Sequence, residues 1–304
     1  MNSQHLSTKI FLDSGDPDET KKVLDILGFL DGQTTNPSLI AKKLNQEAGS
    51  MNQEIKLTEE ELLSEYKKIV QEVSSLIPQG SVSIEVYSDE QTTAEQMLKQ
   101  GKDMFSWIPN AHIKFPTTHE GLKAAEQAVS EGMRVNMTLV FTQEQAAAVY
   151  AATKTAGQES LPGFKNVFVS PFIGRLDDKG INGMDLIKNI TQMYKNGDGH
   201  VMNLSASIRN LEHFLGSIAN GADIITCPYG ILEEWAHREK PVPASTYASQ
   251  GGPDPSFVYA VKDLKPIPYK ELDLSKPWTS FDISHELTDA GLKRFADDWK
   301  ALLK

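Results

Sequence analysis

Eight times in succession, a short apolar run is followed by a stretch with helical periodicity, and this alternation limits the chain to very few architectures. The runs are "KIFLDS" (9–14), "FLDGQTTNPS" (29–38), "SVSIEVYS" (81–88), "NAHIKFPTT" (110–118), "MRVNMTLVF" (133–141), "NVFVSPFIGR" (166–175), "HVMNLSAS" (200–207) and "ADIITCP" (222–228). Runs this short and continuously apolar fit strands buried on both faces, as in parallel sheets. The intervening segments carry helix signals. Asp16 precedes Pro17, a cap followed by a proline suited to the first helical turn. Gly132 closes the helix after the fourth run. Residues 37–80 hold a helical start and a polar insertion, in whose second half Leu62, Leu63, Tyr66, Ile69, Val70 and Val73 recur at helical spacing.

Eight even strand–helix units predict a (β/α)8 TIM barrel rather than a doubly wound open sheet. No G-x-G-x-x-G follows the first strand, which also argues against a dinucleotide fold. The predicted barrel domain covers residues 1–236. Residues 237–304 form an extension of the same domain, rich in Pro, Gly and Ser and closing on the helical "HELTDAGLKRFADDWKALLK". That terminal helix is expected to pack on the barrel. It either covers the mouth or joins a second copy in a homodimer.

A chain of 304 residues buries a large core without covalent staples. Its single cysteine, Cys227, excludes a disulfide framework and a cysteine-based zinc cluster, which suits a cytoplasmic setting. The start "MNSQHLSTKIF" lacks a signal-peptide pattern, and no apolar run approaches a membrane span. Acidic residues outnumber basic ones 41 to 30, for a net charge of −11, against the basic face that a nucleic-acid binder needs. One or two local arginines can still hold an anionic small molecule. The seven histidines are scattered, so neither a metal nor an organic cofactor is expected.

In a barrel of this kind chemistry sits at the C-terminal ends of the strands. The residues there are Asp13 on the first strand, Thr34, Thr35 and Asn36 on the second, and Glu85 on the third. Lys114 and Thr117 follow on the fourth, Asn136 and Thr138 on the fifth, Ser170 and Arg175 on the sixth, and Ser205, Ser207 and Arg209 on the seventh. Each has a plainer reading. Asp13 or Asn36 can cap a helix. Glu85 can belong to a buried ion pair, and the arginines can be surface residues. Lys114, alone, reads as a rim residue whose stem lies on apolar surface. The alternation in "VNMTLV" puts Asn136 and Thr138 on one strand face, where both need partners. Taken together, a lysine among apolar neighbours, two carboxylates, amides, hydroxyls and arginines make the parts of a Schiff-base aldol site. Ile113 and Phe115 are expected to pack outward against helices and so turn Lys114 inward.

The motifs "FLDSG", "DGQTTNPSLI", "SIEVY", "IKFPTT", "VNMTLVF", "VSPFIGR" and "LSASIRN", with "ELTDAGLKRFADDW" near the end, resemble the transaldolase family. The resemblance implies transfer of a dihydroxyacetone unit from sedoheptulose 7-phosphate to glyceraldehyde 3-phosphate, a step of the non-oxidative pentose phosphate pathway, with sugar phosphates as the small-molecule partners and neither nucleic acid nor membrane involved. It implies that Lys114 forms the imine and that Asp13 exchanges a proton with the C4 hydroxyl. Glu85 would act through a water held also by Thr138. Asn36, Thr35, Asn136 and Ser170 would hold substrate hydroxyls, and Arg175, Ser207 and Arg209 a phosphate. The alternative is the related fructose-6-phosphate aldolase, a lyase in which Gln stands for Glu85 and Tyr for Phe172. The Glu and Phe present here imply the transferase.

Overall fold

The protein is described here from a computed structural model, which describes residues 6–50, 56–157, 159–240 and 263–304. The first half alternates β1 (Lys9–Asp13), α1 (Pro17–Leu27), β2 (Gly32–Thr34), α2 (Pro37–Ser50), α3 (Glu59–Leu76), β3 (Ser81–Glu85), α4 (Ala94–Phe105), β4 (Ala111–Pro116) and α5 (His119–Ser130). Next come β5 (Val135–Val140), α6 (Gln143–Ala152), β6 (Val167–Pro171), α7 (Ile173–Asp177), α8 (Gly183–Tyr194) and β7 (Val201–Ser205). The barrel ends with α9 (Leu211–Ala219), β8 (Ile224–Cys227) and α10 (Tyr229–His237). A terminal helix, α11 (Glu286–Lys300), follows. All eight strands are parallel and close into a barrel in sequence order, with β1 pairing β8. The expected (β/α)8 architecture is therefore the observed one.

Local chemistry explains the elements. Asp16 accepts from the Asp18 backbone N–H and Pro17 opens α1. Thr58, Thr93 and Thr142 each form a capping box, with Glu61, Gln96 and Gln145 reaching back to the cap. Most strand residues are buried, because helices cover the outside and side chains fill the inside. On β4, Ile113 and Phe115 lie against Gly101 of α4, so His112 and Lys114 point into the barrel, as the alternation predicts.

Three details go beyond the sequence expectation. Residues 37–80 hold two helices, α2 and α3. The sixth run stops being strand at Pro171, which has no N–H for the ladder. Beyond it, the Ile173 and Gly174 N–H groups bond to the Ala206 and Ser207 carbonyls. A side chain on Gly174 would put its first carbon 2.1 Å from Ser207 O, so only glycine permits that approach. Finally, α11 lies across α2 and the end of β5, where Thr288 Oγ1 donates to the Leu139 carbonyl at 3.0 Å. It covers part of the barrel mouth. Most of the Pro-rich stretch lies outside the described residues. Among the described residues, no helix is long and apolar enough to cross a membrane.

Candidate active site

Lys114 stands at the end of β4 with 4% of its surface exposed. The register sets it beside Glu85 of β3 and Asn136 of β5. Its Nζ lies 2.8 Å from Glu85 Oε2 and donates to the Thr35 carbonyl at 3.0 Å. Taking two charges out of water costs several kcal/mol per ion, which a single contact offsets only in part. Burial accordingly pushes the Glu85 carboxyl up, against the pull of the nearby Lys114. A carboxyl this close is placed to exchange a proton with Nζ, and an amine is the form that attacks a carbonyl.

Among the described residues, three buried side-chain polar atoms have no hydrogen-bond partner, and two of them, Glu85 Oε2 and Thr138 Oγ1, belong to this site. Glu85 Oε2 is close enough to Nζ for an ion pair, but the angle is not that of a hydrogen bond. Buried groups left so are costly unless a ligand or water uses them.

Asp13, at the end of β1, accepts from Thr34 Oγ1 at 2.7 Å. Thr34 Oγ1 is also 2.6 Å from Thr226 Oγ1 of β8. A hydroxyl has one proton, so Thr34 gives it to Asp13 and accepts from Thr226. Burial raises the Asp13 carboxyl, while Lys114 and the Thr34 bond pull it back.

These groups open on a cavity of about 200 Å³, whose lining joins Lys114, Asp13 and Thr138 to Arg175, Arg209 and Arg294. Arg175 of α7 lies over the rings of Phe172 and Phe295, at 5.0 and 5.4 Å from their centres. Burial lowers its guanidinium to about 10, and Arg294 and Arg209 add to the effect. It remains charged at neutral pH. Arg209 holds Asp178 at 2.9 Å in a half-exposed pair of little strength. Ser207 lines the same cavity from a left-handed backbone turn, φ 62°. Three guanidinium groups lining one cavity call for an anion.

The family model described as "Transaldolase/Fructose-6-phosphate aldolase" matches residues 10–304. The chain belongs to the transaldolase/fructose-6-phosphate aldolase family. A "Probable transaldolase" of Dehalococcoides mccartyi is 32% identical, covering 97% of this chain and 100% of the relative. Another "Probable transaldolase", of Chlorobaculum parvum, is 40% identical over 75% of this chain and 90% of the relative.

Of the residues singled out on resemblance to this family, Asp13, Asn36, Lys114, Thr138, Ser170, Phe172, Arg175, Ser207 and Arg209 line one cavity, and Glu85 lies directly behind Lys114. Asn36 serves two ends: its Oδ1 caps α2 through the Leu39 N–H at 2.9 Å, leaving the amide nitrogen for a ligand. Asn136 is held from both sides, donating to Ser83 Oγ at 3.1 Å and accepting from Ser170 Oγ at 2.6 Å. Thr35 departs from the expectation that it holds substrate. Its hydroxyl donates to Ser83 O and accepts from Tyr66, so the side chain points away and only its carbonyl serves Lys114. Thr117 and Ser205 also turn elsewhere, to the Thr138 carbonyl and to Ser217.

The family resemblance assigned no role to Thr226, Arg294, Phe295 or Tyr66. Tyr66, on α3, donates to Thr35 and accepts from the Glu85 N–H at 3.0 Å, fixing two of the site's strands from behind. In the sequence it is one apolar position of a helix, with nothing to mark its hydroxyl.

Proposed function

We propose that the protein is a transaldolase that moves a dihydroxyacetone unit between sugar phosphates through a Schiff base on Lys114. The observation that carries this reading is the buried Lys114 Nζ, 2.8 Å from the Glu85 carboxylate, in a cavity also lined by Arg175, Arg209 and Arg294. A ketose phosphate spanning the cavity sets its carbonyl at the amine and its phosphate at Arg175, Ser207 and Arg209. The amine adds to the ketone C2. Glu85, through a water shared with Thr138 Oγ1, then passes the protons that let hydroxide leave as water and the iminium form.

Asp13 takes the C4 hydroxyl proton as the C3–C4 bond breaks. The bond's electrons flow into the iminium to give an enamine, and the shortened aldose phosphate departs. Asn36 and Asn136, the latter set by Ser170, hold the hydroxyls of the three-carbon unit in place. A second aldehyde then adds by the reverse path, with Asp13 returning the proton. The substrates that fit are sedoheptulose 7-phosphate and glyceraldehyde 3-phosphate, giving erythrose 4-phosphate and fructose 6-phosphate, as in the cytoplasmic pentose phosphate pathway. Residues 1–236 supply the reacting groups, and the extension from 237 to 304 acts with them as one unit.

Phe172 offers no hydroxyl to activate water against the bound enamine, which favours transfer over release of free dihydroxyacetone. Borohydride reduction with fructose 6-phosphate, followed by peptide mass mapping, is expected to give a reduced three-carbon adduct on Lys114. No adduct, or one elsewhere, contradicts the mechanism. Release of dihydroxyacetone without acceptor as fast as transfer with one would instead make the protein a lyase.

A further inference from the structure

We infer that α11 is a specificity element: Gly291 and Phe295, one turn apart on its inner face, form the seat that aims Arg175 at a substrate phosphate. The inference rests on the reading of Arg175 as a phosphate ligand. Residues at i and i+4 share a helix face. Here one makes room and the other stacks. A methyl group on Gly291 would lie 2.7 Å from Arg175 Nη1 and 2.5 Å from Leu139 Cδ2, well inside contact distance. The centre of the Phe295 ring lies 5.4 Å from the same guanidinium, and that of Phe172 5.0 Å. A glycine inside a helix costs about 1 kcal/mol relative to alanine, so its presence at 291 needs a contact to justify it.

The seat is anchored. Gln145 Nε2 donates to Thr288 Oγ1 at 2.8 Å, and Thr288 donates to the Leu139 carbonyl, pinning the start of α11 to β5. Ser38 hydrogen bonds to Asp298 near the other end. A planar guanidinium recognises phosphate through paired, directional N–H bonds, so tilting its plane loses affinity without removing its charge. The helix thus selects phosphorylated over unphosphorylated aldehydes through the orientation of Arg175. It does so at a distance from the bond being made.

The test compares glyceraldehyde 3-phosphate with glyceraldehyde as acceptor, at saturating donor, in wild type, Gly291→Ala and Phe295→Leu. In Gly291→Ala the KM for the phosphorylated acceptor is expected to rise roughly tenfold, the worth of one charge-assisted hydrogen bond. The KM for glyceraldehyde and both kcat values should move by less than about twofold, since neither depends on that bond. Phe295→Leu, which keeps apolar bulk but loses the ring face, should shift the same ratio in the same direction by about threefold. An unchanged ratio in both variants overturns the inference. So does a parallel loss with both acceptors alongside a lowered melting temperature, which marks a merely structural role. If wild type itself shows no preference for the phosphorylated acceptor, the phosphate reading of Arg175 fails instead.

Discussion

Two polar residues on β4, His112 and Lys114, both point into the barrel and both are buried, yet they are treated in opposite ways. His112, toward the closed end, is fully satisfied by the protein. Its Nε2 faces the Lys165 carbonyl at 3.1 Å, so that nitrogen carries the proton, and its Nδ1 accepts from Ser81 Oγ at 2.8 Å. Its ring stacks on Phe168 with centres 3.9 Å apart. Lys114, one layer up, faces Glu85 Oε2, and Thr138 Oγ1 lines the same cavity; neither atom has a hydrogen-bond partner in the protein. The difference teaches how to tell a structural polar group from a reactive one. Both ring nitrogens of His112 are used within the protein, whereas at the mouth Glu85 Oε2 and Thr138 Oγ1 leave capacity for a ligand.

The strongest way to break the contrast is at Lys114. Lys114→Arg keeps a positive charge beside Glu85, but a guanidinium forms no imine. Turnover should fall by about four orders of magnitude or more, with no borohydride-trapped adduct. A coupled assay showing even about a hundredth of the wild-type rate would remove Lys114 from the covalent step.

Glu85→Gln comes next. It preserves shape and ends proton transfer, and kcat should drop about a hundredfold. Imine trapping should slow in step, because Glu85 serves formation of the iminium. If trapping keeps its wild-type rate while turnover collapses, Glu85 acts later than proposed. At the same end, Asp13 must be ionised to take the hydroxyl proton, and burial raises it. The acid limb of kcat should therefore lie above the 3.8 of an ordinary aspartate. The folded chain also holds that proton more tightly than the unfolded one, so this group's contribution to stability is lost as pH rises through the raised value. Asp13→Asn should flatten that decline in a denaturant series.

At the floor the sign is opposite. Burial lowers His112 from 6.5 to about 3, so between those values the unfolded chain binds the extra proton. Stability is full above pH 6.5 and is lost as pH falls toward 3, by up to about 5 kcal/mol from this group. His112→Gln should flatten that acid loss, cost roughly 1–3 kcal/mol at neutral pH, and leave turnover within about twofold. A large loss of activity in the stably folded variant would erase the distinction between floor and mouth.

The barrel was legible because strand and helix periods are local properties, and each unit carries its own start and stop, as Asp16–Pro17 and Gly132 do. Lys114 and Glu85 were legible because charge inside an apolar run needs an explanation wherever it sits. Thr35 was misread because its neighbour Asn36 does reach the cavity, and a change of face between adjacent residues depends on the backbone turn. Arg294 and Phe295 were passed over because the pattern of a terminal helix shows which face is apolar and not what that face covers. A site assembled from distant segments is invisible until the chain is folded.

The smallest effect is expected at Thr226, on the far side of the mouth. Thr34 gives its single proton to Asp13, so its oxygen accepts from Thr226, and Val at 226 fills the same space without donating. Thr34 then loses the bond that fixes its rotor, and its donation to the Asp13 carboxylate weakens. An ionised Asp13 is less well held, so its carboxyl rises further and the acid limb of kcat moves to higher pH. At neutral pH the cost should be about twofold to threefold in kcat, because only one neutral link of the chain is lost. Imine trapping on Lys114 should change less, since Asp13 enters at bond cleavage. An acid limb that stays in place would mean that Thr34 alone orients Asp13, with Thr226 a packing residue like those at the floor.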